Sequence, residues 1–173
     1  MNIFNPKLLT SAIITSLALG TATPALSQAT DSATSMITLL FNEVIDIANV
    51  DAVTITDPIL GTDAMGSDAF CVSGSGFSTF SITFANAGTD PAFFLLSSNG
   101  TPEIPYDVGF SNSVTGQGTI ALAGVPLTGN TLNSSNCIND NARFDIFIPF
   151  SIWDGRQADG PFIGTLMITV ESE

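Results

Sequence analysis

Residues 143–153 read RFDIFIPFSIW, with Phe144, Ile146, Ile148, Phe150 and Ile152 on every second position. That spacing puts all five on one face of an extended strand, where a helix would scatter them. The opposite face holds Arg143, Asp145, Phe147, Pro149, Ser151 and Trp153. Pro149 cannot donate to a ladder, so an edge position or a bulge is expected there. The same period returns in Phe80, Ile82 and Phe84, in Ile104, Tyr106, Val108 and Phe110, and in the closing run Phe162, Leu166, Ile168 and Val170. Residues 92–98 (AFFLLSS) are apolar on both faces, as in a strand inside a sandwich, with a single helical turn as the alternative. Turn-forming clusters separate these runs: Asp57-Pro58, residues 61–66, 74–76, 99–102, Gly129-Asn130 and 154–161. No stretch carries three turns of amphipathic helix. The pattern predicts an all-β, immunoglobulin-like sandwich of about seven to nine strands.

Charge narrows what such a sandwich can do. Three basic residues face sixteen acidic ones among 173, for a net charge of −13. Nucleic acid requires a basic footprint that this chain lacks, and an anionic membrane surface is disfavoured on the same ground. Histidine is absent, which removes the Ser-His-Asp and Cys-His nucleophile designs. Sixteen acids always allow some carboxylate pair, yet no motif singles one out for hydrolysis. A non-enzymatic protein without cofactor is expected.

The start of the chain reads as an address. Lys7 precedes an apolar run, residues 8–20 (LLTSAIITSLALG), of signal-peptide length. Residues 1–28 form the expected leader, with cleavage after Ser27 or after Ala29. No later run reaches the roughly eighteen apolar residues of a membrane span, so no membrane insertion of the mature chain is expected. Export to the periplasm, and from there to the cell surface or medium, follows. In an oxidising compartment the two cysteines, Cys71 and Cys137, have one available pairing and are expected to form a disulfide.

Two glycine-containing stretches resemble ligand loops only superficially. Residues 71–77 (CVSGSGF) lack the lysine and helix of a phosphate cradle and read as a hairpin turn. Residues 154–160 carry Asp154 and Asp159 but not the alternating oxygens and terminal glutamate of a calcium loop. A solvated turn is expected there, with a weak calcium site as the alternative. Residues 139–141 (NDN) read as a turn too, again with a weak metal site as the alternative. Tyr106 and Trp153, the sole Tyr and Trp, read as packing residues.

Behind the leader, Ile37, Leu39 and Phe41 alternate, followed by Ile45 and Ile47 on the same face. Residues 29–50 are either the first strand of the sandwich or an arm that completes a sheet in a neighbour. The sandwich proper is expected over residues 51–173. A free-standing secreted sandwich that binds carbohydrate or another surface ligand is the alternative reading.

Several of these segments, in this order, resemble subunits of chaperone–usher pili. They are MITLLFNEVIDI (36–47), FCV (70–72), IPYDVGF (104–110), Cys137 and the ending GPFIGTLMITVESE (160–173). The chain ends Val170-Glu171-Ser172-Glu173 without the next-to-last tyrosine of the best-known branch. The likeness is therefore to the archaic and alpha-type branch with its spore-coat-protein-U-like domains. The resemblance implies a sandwich lacking one strand, filled first by a periplasmic chaperone and then by a neighbouring subunit's N-terminal strand. It implies an outer-membrane usher as a further partner and a surface fimbrium as the destination. By the same resemblance Ile37, Leu39 and Phe41 would be the donor side chains, and Leu166, Ile168 and Val170 would line the groove.

Overall fold

The structure is a computed structural model that describes residues 31–40, 42–87, 92–97, 100, 103–116, 118–156 and 160–173. The expected leader with its cleavage positions, Phe41 and Asp159 lie outside these. The chain divides into two compact units, Met1–Thr38 and Leu39–Glu173. In the first, residues 31–38 carry no helix or strand and every one of them is exposed.

The second unit is an all-β sandwich. Its strands are β1 (Val44–Ala48), β2 (Ala64–Ser75), β3 (Thr79–Asn86), β4 (Phe94–Ser97), β5 (Glu103–Pro105) and β6 (Asp107–Ser111). They continue as β7 (Thr119–Ala121), β8 (Leu127–Thr131), β9 (Ala142–Ile148), β10 (Phe162–Ile163) and β11 (Leu166–Ser172), with one helical turn, α1 (Phe150–Trp153). One sheet has the order β1-β2-β9-β6-β7; two three-stranded sheets have the orders β10-β4-β5 and β11-β3-β8. The small sheets run on from each other, because β10 leads into β11 beside β4 and β3, and Ala87 N–H donates to Thr165 O between them at 3.2 Å. Every pairing is antiparallel. The strand count exceeds the expected range because single sequence runs are interrupted. Ile104 and Phe110, for example, sit in different sheets, with the break at Tyr106.

Alternation places the core as expected. Phe80, Ile82 and Phe84 on β3 are essentially solvent-free and face Phe70, Val72, Val108, Phe110 and Phe144 of the other layer. The Phe84 ring lies 5.8 Å from that of Phe110 and 6.2 Å from that of Phe144, and Phe70 lies 6.0 Å from Phe144. Each such ring contributes about 1.5–3 kcal/mol through burial alone. Cys71 on β2 and Cys137, in the connection from β8 to β9, form the expected disulfide, with Cα atoms 5.5 Å apart.

Two expectations fail for identifiable reasons. The strand from Arg143 stops at Ile148, because Pro149 has no N–H for the ladder and the Phe150 N–H is taken by Asp63 Oδ1 at 2.7 Å. Phe150 and Ile152 therefore leave the alternating face, and Phe150 packs edge-on to Trp153 at 5.2 Å. The glycine-rich stretch 71–77 is not a hairpin. β2 continues through it to Ser75, Gly76 turns the chain at φ 89°, and β3 then joins the other layer. Of residues 29–50, residues 44–48 are β1, paired along Cys71 to Ser75 of the chain's own β2.

No helix among the described residues is long and apolar enough to cross a membrane.

Candidate functional site: an open apolar groove

After β1, Asn49 adopts φ 62°, a left-handed turn that asparagine tolerates, and the chain lifts away from the ladder. Residues 50–58 run on beside the first half of β2 without forming a strand. This strap is tacked down by the Asp51 N–H donating to Asp68 Oδ2 at 2.8 Å. Val53 and Ile55 lie across Gly66, where a Cβ would come within 2.5 Å of Val53 Cγ1 and 2.9 Å of Ile55 Cγ1. Glycine is what allows the strap to lie this close.

Across from the strap stand β10 and β11. Between the two rows opens a groove of about 1260 Å³. Phe144, Ile146 and Ile148 of β9, with Ile104 and Tyr106, form its floor; Leu166 and Ile168 form one wall, Val53 and Ile55 the other. Burial raises the Tyr106 phenol above its ordinary pKa. Trp153 and Arg156 stand with Phe162 among the lining residues beyond Leu166. The indole Nε1 of Trp153 is buried without a hydrogen-bond partner among the described residues.

The pattern on β11 shows what the groove lacks. Leu166, Ile168 and Val170 point inward by alternation, yet each is only half-buried, while Phe80, Ile82 and Phe84 on adjoining β3 are fully covered. The backbone tells the same story. Thr165 O and Glu173 N–H both bond toward β3, which fixes the alternation between them. Met167, Thr169 and Glu171 thus spend their N–H and C=O groups on β3, and those of Leu166, Ile168 and Val170 face the open edge. No backbone partner meets that edge among the described residues. An unpaired edge beside half-covered apolar side chains is a template for one more strand.

The residues singled out in the sequence divide accordingly. Leu166 and Ile168 line the groove, and Val170 continues the same face beyond it. Ile37 is 92% and Leu39 74% exposed, so both are available to another surface; Phe41 lies outside the described residues. Asp154 is exposed, and the described residues hold no group of three His, Cys, Asp or Glu side chains that could bind a metal. Sequence reasoning missed the strap residues Val53 and Ile55, whose alternation in AVTITD was the available signal. Arg156, inside the expected turn of residues 154–160, lines the groove as well, and nothing in the local pattern signals that.

The fold and site define a β-sandwich left open along one edge. No family profile and no curated protein matches this chain. Among solved structures, a chain of a chaperone–tip adhesin complex of CFA/I fimbriae biogenesis is similar over 75% of this chain and 41% of its own, with TM-score 0.55 and 20% identity. CfaE, the adhesive subunit of the CFA/I fimbria of enterotoxigenic Escherichia coli, matches over 68% of this chain and 43% of its own, with TM-score 0.37 and 12% identity. The chain spans less than half the length of these structures, and at such identity the first likeness is one of fold.

Proposed function

We propose that this chain is a structural subunit of a surface fimbria whose groove accepts the N-terminal strand of a neighbouring subunit. The observation that carries the reading is the open edge of β11, with Leu166 and Ile168 half-covered above an apolar floor. The fold likeness to a chain of a fimbrial chaperone–adhesin complex supports it. So does an N-terminal segment whose Met36, Ile37, Leu39 and Leu40 are all more than 70% exposed. A strand entering the groove would gain backbone hydrogen bonds along β11, and its alternate side chains would fill the pockets. On this reading Ile37, Leu39 and Phe41 are the donor side chains, and the role is assembly without catalysis. A periplasmic chaperone would shield the groove until an outer-membrane usher brings the next subunit, since a bare apolar edge aggregates.

Size exclusion of the purified mature chain tests this. Wild type should form oligomers that Leu39→Asp abolishes, because the change puts a carboxylate into an apolar pocket. As Leu39 is exposed in its own chain, the variant should melt within about 0.5 kcal/mol of wild type. A variant that unfolds, or one that assembles like wild type, contradicts the proposal.

A further inference from the structure

The groove is largely apolar, with Asp51, Asp57 and the half-buried Arg156 as the charged residues in its lining. Beyond Lys7, which precedes the described residues, the chain has two cations, Arg143 and Arg156. Arg143 is committed, with its guanidinium 3.0 Å from Asp145 and donating to Gly116 O at 2.9 Å. Arg156 has no ion-pair partner among the described residues. An arginine that lines a largely apolar groove without an ion-pair partner among the described residues suits an occupant that brings a carboxylate to it.

The chain itself contains such an occupant. Glu43 continues the alternation of Ile37, Leu39 and Phe41, so in an extended arm its carboxylate projects on the same face as the apolar side chains. We infer that the groove takes the arm of a second copy of this chain, antiparallel to β11, with Glu43 of that copy paired to Arg156. This rests on the donor-strand reading above and adds the identity, direction and register of the strand. Placing Ile37 opposite Ile168 and Leu39 opposite Leu166 brings Phe41 to Gly164 and Glu43 to Phe162, all on one face. Phe162, Gly164, Leu166 and Ile168 all line the groove, whereas Val170 does not, which disfavours a register two residues further along. A parallel arm would bring Asp31 opposite Phe162 instead, but would set Ser35 and Ala33 opposite Leu166 and Gly164, where the antiparallel arm sets the large apolar Leu39 and Phe41. Glu43 has the capacity for this contact. Its Oε2 accepts from Ser172 of its own chain at 2.8 Å, and a carboxylate accepts several hydrogen bonds.

The test uses the full mature chain carrying Leu39→Asp, so that its own arm does not compete, and capped peptides of residues 35–45. The wild-type peptide should bind, and either R156E in the chain or E43R in the peptide should weaken binding about tenfold or more. The E43R peptide with the R156E chain should recover most of the loss, and the differences should shrink at about 0.5 M salt. Four equal affinities would leave the groove reading standing and remove the ion pair. A loss with R156E that E43R does not recover, or an equal loss with D159N, would assign Arg156 to its own chain and overturn the inference. No binding by any peptide would overturn the donor-strand reading beneath it. A melt of each chain variant, with R156Q beside R156E, checks that the fold is intact.

Discussion

Ser172 Oγ donates to Glu43 Oε2 at 2.8 Å, joining residues 129 apart in sequence. The bond fixes the root of the N-terminal arm at the end of the last strand. Gly76 supports the same point, for a Cβ there would stand 3.0 Å from Asn42 O and 3.1 Å from Glu43 Cα. The groove is lined by the opposite end of β11, around Leu166, and by β10. On the proposed reading, donating and accepting features would sit at opposite ends of one strand. A head-to-tail contact of that kind gives a ring where its rotation closes and an open filament where it does not.

Gly66→Val should lift the strap. The new side chain occupies space now held by Val53 and Ile55, and such overpacking costs about 1–3 kcal/mol. The expected reading is a lowered melting temperature together with faster proteolysis within residues 50–58. An unchanged melt would show that the strap does not need this close approach.

Core and groove should answer differently to truncation. Phe84→Ala empties a site between the two layers and should destabilise the folded chain by about 3–5 kcal/mol. Ile168→Ala removes a side chain that is only half-covered and should cost about 1 kcal/mol. It should nevertheless weaken binding of the 35–45 peptide strongly. Urea melts and peptide titration of the two variants separate these effects.

Replacing both Cys71 and Cys137 by alanine should remove about 2–4 kcal/mol, since the bridge closes a loop of 66 residues in the unfolded chain. Urea unfolding reads this directly. A midpoint equal to that of wild type would contradict it.

Tyr106 sets an alkaline limit. Burial raises its phenol above 10.0, so the folded state holds a proton that the unfolded state releases first. The stability this contributes is fully present below about pH 10 and is lost as pH rises from there through the folded value. Tyr106→Phe should flatten that decline. As the sole tyrosine, its ionisation can be followed by ultraviolet difference absorbance, with a midpoint above that of the urea-unfolded chain.

Much of the sandwich was legible because period-two spacing states which side chains go inward. Phe80, Ile82 and Phe84 were readable as core, and so were Phe144, Ile146 and Ile148. The strand end at Pro149 was half-legible: proline announced an interruption, but the capture of the Phe150 N–H by Asp63 is a contact across 87 residues. The groove was not legible from pattern alone. Leu166, Ile168 and Val170 alternate as the β3 residues do, and what distinguishes half-covered from buried is that, among the described residues, no strand pairs with the outer edge of β11. Val53 and Ile55 alternate like a strand too, yet the left-handed Asn49 turns them into a strap. Arg156 gained significance only when the wall and floor around it were in view.

Residue-resolved amide exchange on β11 tests the central claim most directly. In the Leu39→Asp chain alone, the amides of Met167, Thr169 and Glu171 should be protected by β3, and those of Leu166, Ile168 and Val170 should exchange fast. Adding the 35–45 peptide should slow Leu166 and Ile168 selectively and leave the β3-bonded set unchanged. Equal protection of both sets before addition, or no selective slowing after it, would contradict an open edge that takes a further strand.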